Sequence, residues 1–239
     1  MTTARRAELA GNLAAIQARV AAACAAAGRD VSEITLIAVT KTRPAEDVVA
    51  LTELGLADFG ENRDQEAAPK AAAVAEAATA PVRWHFIGQL QSNKASHVVR
   101  YASVVHSVDR VRLVRALGSA SRAAVQVPAD VTCLVQVSLD GDPSRGGALI
   151  SQLPEIAAAI EAEQGLALGG VMAVAPLGVA PEAAFGSLGA ISDTAREVNP
   201  AATIISAGMS GDLEAAVRNG ATHLRIGTAL LGNRSLPVL

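Results

Sequence analysis

Short apolar runs alternate with longer amphipathic stretches along most of this chain. The first run, Ile34-Thr35-Leu36-Ile37-Ala38-Val39-Thr40, is β-branched, short and bounded by polar residues, the pattern of a fully buried strand. Ahead of it, the Ala-rich stretch 4–27 is broken by Glu8, Asn12, Gln17 and Arg19. It predicts an amphipathic helix, neither a signal peptide nor a membrane span. Further strands are predicted at 57–59, 82–87, 103–107, 131–138, 167–173, 203–206 and 223–226. Helices are predicted at 44–54, 63–78, 109–122, 149–163, 182–198 and 212–219, with a short one near Ser92 and a terminal turn near Thr228. Pro44 suits a first helical turn and Gly55 a helix stop.

Eight strands, each followed by a helix or helical turn, argue for a parallel sheet. Eight such units in 239 residues fit a single (β/α)8 TIM barrel. An open doubly wound sheet would carry a glycine-rich fingerprint after its first strand, where this chain has Lys41-Thr42-Arg43-Pro44. No linker or shift in composition divides the chain, so one domain over 1–239 is expected. The segment 139–147 is the most flexible-looking stretch but lies inside one unit.

Composition refines this picture. Hydrophobic residues make up 51% of the chain, yet there are only three Phe, one Trp and one Tyr, so the core must be aliphatic. The net charge of −3, with no block of like charge, leaves no electrostatic footprint for nucleic acid. Cys24 and Cys133 form no metal-ligand or redox motif and read as buried thiols. A cytoplasmic protein with no membrane partner is expected.

Lysine is scarce: Lys41, Lys70 and Lys94 stand against 17 arginines. Lys41 closes the first strand, at the barrel end where active sites gather. A desolvated lysine amine can lose its proton and attack a carbonyl, which a guanidinium does not do. A solvated strand-end lysine is the plainer alternative. At the same end, Ser210-Gly211-Asp212-Leu213 reads as a helix start whose N–H groups favour an anion, and Gly227-Thr228 adds another N–H and a hydroxyl. Helix capping by Ser210 or Asp212 explains the first motif equally well. A phosphate cradle facing a lysine admits two ligands, pyridoxal 5′-phosphate held as a Schiff base or a sugar phosphate in a Schiff-base aldolase. Arg225, beside Lys41 in a closed barrel, would meet a pyridine nitrogen and restrain carbanion chemistry.

Several blocks together resemble a known family. They are Ala38-Val39-Thr40-Lys41-Thr42, Gly60-Glu61-Asn62, Trp84-His85-Phe86-Ile87-Gly88-Gln89, Gly208-Met209-Ser210-Gly211-Asp212 and Arg225-Ile226-Gly227-Thr228. They resemble the pyridoxal phosphate homeostasis proteins. The resemblance implies the alanine-racemase-type barrel (fold-type III) without the C-terminal β-domain of the racemases. It implies pyridoxal 5′-phosphate on Lys41, phosphate contacts from Ser210, Gly227 and Thr228, and Arg225 at the pyridine nitrogen. Asn62 and His85 would be pocket walls, with a core position open for His85; Met172 and Met209 would be apolar lining or core. A carrier or regulator of the cofactor is expected, monomeric, able to serve apo-enzymes that depend on it, and not a catalyst. A weak amino-acid racemase is the alternative, and it would need a second proton donor; Tyr101 is expected to be a packing residue. Two departures stand out: Arg63 follows Gly-Glu-Asn where an aromatic is common, and Ser144-Arg145-Gly146 replaces a Lys-Xaa-Gly segment.

Overall fold

The structure, a computed structural model, describes residues 2–124, 130–142 and 146–232. Ser144 and Arg145 lie outside the described residues. Eight parallel strands close into a barrel in sequence order. They are β1 (Thr35–Val39), β2 (Asp58–Glu61), β3 (Arg83–Phe86), β4 (Ala102–Val108), β5 (Val131–Gln136), β6 (Leu166–Met172), β7 (Ile204–Ser206) and β8 (His223–Ile226). The ring shuts where Thr35 to Ala38 pair with His223 to Ile226. The helices are α1 (Thr3–Ala27), α2 (Ala45–Glu53), α3 (Asp64–Ala77), α4 (Ala95–Val98), α5 (Val111–Ala123), α6 (Leu153–Ala162), α7 (Pro181–Phe185), α8 (Leu188–Val198), α9 (Leu213–Arg218) and α10 (Thr228–Leu231). The TIM-barrel expectation holds.

Two elements differ from the sequence reading. The stretch expected as one helix at 182–198 is two, α7 and α8, parted at Gly186-Ser187. Neither residue favours a helix interior, and the break lets Phe185 and Leu188 both reach the core. β2 continues to Glu61, which pairs with Phe86, although Gly60 and Glu61 read as loop. The helix after β8 is the single turn expected near Thr228. α1 occupies the place it leaves, packing against α9, α10 and α2.

α1 works this way because Leu9, Leu13, Ile16, Val20 and Cys24 fall on one face at helical spacing, and all are buried. By length and composition it is apolar enough to cross a membrane; here that apolar face lies on the barrel. Its polar residues reach the last elements of the fold: Asn12 Nδ2 donates to the Leu230 carbonyl at 2.9 Å. Cys24 and Cys133 are buried free thiols, and burial pushes Cys133 up to about 12.

The barrel interior is divided. One side is apolar, with Val104, Leu134 and Met172 packed together against Val174 and Ile204. The other holds Asp58, His85, His106, Ser206 and Arg225, all buried. Met172 is therefore core.

Candidate active site

A cavity of about 550 Å³ opens at the C-terminal end of the barrel. Lys41, Thr42 and Arg43 line it after β1, Ile87 after β3, Met209, Ser210 and Gly211 after β7, and Arg225, Gly227 and Thr228 from β8 onward. Lys41, Ser210, Arg225, Gly227 and Thr228 thus share one space. A larger groove of about 850 Å³ lies on the outer wall, lined by alanines of α3 with Trp84, His97, Arg100 and Tyr101. It lacks a lysine and lies by the N-terminal ends of β3 and β4, away from the catalytic face, so the smaller mouth cavity is the candidate site.

The Lys41 turn is clamped from behind. Thr42 adopts a left-handed backbone with φ of 63°, rare for a β-branched residue. Its N–H donates to Glu66 Oε1 in a short contact. Lys70 Nζ donates to Glu66 Oε1 at 2.9 Å, to the Thr40 carbonyl at 2.8 Å and to Glu61 Oε1 at 2.6 Å. Thr40 Oγ1 donates to the same Glu61 oxygen at 2.7 Å. Glu61 is fully buried; burial pushes its carboxyl up, against the pull of Lys70 and Thr40. The residue before Lys41 and the residue after it are both tied to this cluster.

The opposite wall is built from loops. α9 begins only at Leu213 and has six residues, so the helix-dipole contribution expected at Ser210 is small. Ser210 and Asp212 do not cap it: Asp212 Oδ1 accepts from the Met209 N–H, and Ser210 Oγ accepts from the Ala229 N–H at 3.3 Å. The Ser210 hydroxyl thereby ties the loop after β7 to the turn of α10. Gly208 has φ of +91°, and a Cβ there would stand 2.6 Å from the Ala216 Cβ, so glycine is required. From outside, Arg19 of α1 donates through both Nη atoms to the Ser210 carbonyl at 3.1 Å. Arg43 Nη2 holds the Gly232 carbonyl at 2.6 Å.

Arg225 is 95% buried. Its Nη1 donates to Ser206 Oγ at 2.6 Å and its Nη2 to the Ala173 carbonyl at 2.9 Å. Burial pulls its pKa down to about 10, which leaves a cation at neutral pH.

Asn62 and His85 do not line the cavity. The Asn62 carbonyl lies against Gly88, where a Cβ would come within 2.1 Å of it. His85 sits inside the barrel with both ring nitrogens engaged, by Asp58 and His106. Met209 lines the cavity and is 40% exposed. Tyr101 packs partly against the outer core and borders the groove on the outer wall. Sequence reasoning missed Arg19, Glu61, Lys70, His106 and Ser206. The lysine scarcity that marked Lys41 marks Lys70 equally.

The alanine racemase N-terminal domain family matches residues 11–235. A pyridoxal phosphate homeostasis protein of Mycobacterium bovis is 45% identical over 249 residues, covering 97% of this chain and 95% of the relative. The structure of PipY from Synechococcus elongatus with PLP bound superposes with a TM-score of 0.80 at 30% identity, over 94% of this chain and all of that one. Alanine racemase from Corynebacterium glutamicum shares the fold, with a TM-score of 0.67 at 13% identity over 98% of this chain and 62% of the racemase. By these matches the chain belongs to the alanine racemase N-terminal domain family, among the pyridoxal phosphate homeostasis proteins.

Proposed function

We propose that this protein holds pyridoxal 5′-phosphate covalently on Lys41 and serves vitamin B6 homeostasis as a carrier of the cofactor, not as a catalyst. The single observation that carries this reading is the lining of the mouth cavity. It combines three basic side chains (Lys41, Arg43, Arg225) with the hydroxyls of Thr42, Ser210 and Thr228 and, among the described residues, contains no carboxylate. Such a donor set suits a phosphorylated aldehyde, and the volume lies in the range of about 300–1,000 Å³ usual for small-ligand sites.

When bound, pyridoxal phosphate supplies an aldehyde for an amine and a ring that draws electron density. Lys41 contributes the amine, held in place by the Thr40–Glu61–Lys70 cluster behind it. The Ser210 and Thr228 hydroxyls, with the backbone at Gly211 and Gly227, would hold the phosphate. Arg225 would offer an N–H donor to the ring nitrogen. A guanidinium has donors only and keeps its own protons, so it would leave that nitrogen unprotonated. Racemisation needs a second acid–base group on the other face of the ligand, and the described lining offers no Asp, Glu, His, Tyr or Cys for it. The relatives' names, homeostasis proteins rather than enzymes, support the same reading. We place the protein in the cytoplasm as a monomeric single domain from which cofactor-dependent apo-enzymes draw.

The test is the absorbance spectrum of the protein mixed with pyridoxal phosphate, before and after borohydride, with Lys41→Ala alongside. A visible band that borohydride removes, and that the variant lacks, is expected. A protein that stays colourless would overturn the reading.

A further inference from the structure

Arg225 is a buried cation with no carboxylate bonded to it among the described residues. Asp212 acts on it only through space. Behind it, hydrogen bonds descend through the barrel to the opposite end. Arg225 Nη1 meets Ser206 Oγ at 2.6 Å, and Ser206 Oγ meets His106 Nδ1 at 2.9 Å. His106 Nε2 meets His85 Nδ1 at 2.9 Å, and His85 Nε2 meets Asp58 Oδ1 at 2.8 Å. Every member is at least nine-tenths buried.

The two ends fix the direction of the chain. Arg225 can only donate, and an ionised Asp58 can only accept. Burial opposes ionisation of Asp58, but the bonds from His85 and Arg83 win and hold it at about 2. Burial keeps His106 neutral, with one N–H. With a single N–H on each ring, the arrangement is Arg225 N–H to Ser206, Ser206 O–H to His106 Nδ1, His106 Nε2–H to His85, and His85 Nε2–H to Asp58. Four bonds point the same way, and aligned bonds in a low-dielectric interior reinforce one another. Each donor makes the atom above it a better acceptor, so Ser206 grips the guanidinium more firmly. His223, whose ring centroid lies 6.4 Å from that of His85, stands beside the chain and is kept neutral by burial. Arg83 caps Asp58 from the far mouth, with bonds of 2.7 and 2.8 Å and a side chain 60% exposed.

We propose that Ser206, His106, His85 and Asp58 are positioning residues for Arg225: a one-way hydrogen-bond chain through which a carboxylate at one end of the barrel sets the orientation and donor strength of the arginine at the other. The effect on a ligand rests on the pyridoxal phosphate reading above; the chain itself does not.

Two measurements separate these parts. Histidine-selective ¹⁵N NMR of the protein without added cofactor reads the tautomers. The expected result is His85 and His106 both protonated on Nε2, with the His106 signal moved by Asp58→Asn although the two do not touch. A His106 proton on Nδ1 would reverse the chain and overturn the proposal, whether or not pyridoxal phosphate binds. The second measurement is the visible spectrum and affinity of protein mixed with pyridoxal phosphate. Ser206→Ala should weaken binding roughly tenfold, the size of one hydrogen bond to a charged group. Asp58→Asn and Arg83→Gln should displace the band in opposite directions, since one removes the pull on the chain and the other unmasks it. Damaged packing would not produce opposite signs, and Arg83→Gln, at an exposed site, keeps the test open if Asp58→Asn fails to fold. Unmoved bands in both variants would overturn the proposal, whereas failure of the wild type to bind while the tautomers stand would overturn only the cofactor reading.

Discussion

Two buried acids in this barrel have opposite circumstances. Asp58 keeps its charge because His85 and Arg83 both bond to it. Glu61 bonds to Thr40 and Lys70 through one oxygen, and its other oxygen has no partner among the described residues. Lys70→Met should therefore cost about 3–5 kcal/mol in urea unfolding, because it strands Glu61 in a dry interior. The double variant Glu61→Leu, Lys70→Met should recover most of that loss. It should still bind pyridoxal phosphate poorly, because the Lys41 turn has lost its clamp. A double variant with normal binding would show that the cluster supports the fold alone. Glu61 also shows why the sequence was misread here. A glutamate after Gly60 looks like loop chemistry, and nothing near it in sequence reveals the lysine nine residues on that lets it continue the strand.

At the level of elements, strand positions were legible because apolar runs of five to seven residues have few alternatives in an α/β pattern. β8 matches its expected span from His223 to Ile226. Helix continuity was less legible: Gly186-Ser187 divides α7 from α8 for the sake of packing that only the assembled core defines. The use of α1 was invisible, since its apolar spacing shows that it docks but not where. Its contact with the Ser210 carbonyl gives a direct prediction. Arg19→Ala should lower affinity for pyridoxal phosphate several-fold with little change in melting temperature, because Arg19 is partly solvated and braces a loop. Gly208→Ala should instead destabilise the protein by about 1–3 kcal/mol in thermal unfolding, combining left-handed strain with a clash on α9.

At the level of the whole molecule, the polar half of the barrel interior makes stability depend on pH in two stages. Burial first, then the neighbouring His85, depress His223 from 6.5 to about 4, so it stays neutral in the fold. The unfolded chain takes up that proton first, and stability should start to fall as pH drops below 6.5, levelling near 4. His106, also depressed by burial, adds to the same stage. Asp58 then contributes between its ordinary 3.8 and about 2, a loss of roughly 2 kcal/mol that is complete only below the folded value. Melting temperatures from pH 7.5 to 2.5 should show both stages, and His223→Asn should flatten the first. None of this could be read from scattered histidines in the sequence, because the environment that His85, His106 and His223 share exists only once the barrel closes. The closure has another consequence. Lys41 and α1 are made early, while Ser210, Arg225 and the carbonyls that Arg5, Arg19 and Asn12 hold come from sequence separations of up to 226 residues. At synthesis rates of about 5–20 residues per second, the amine waits roughly 10–40 s for the groups that would hold a phosphate opposite it. A ribosome-bound chain carries Lys41 and no pocket, so on the proposed reading the newborn protein could take up the cofactor only once β8 has joined the barrel.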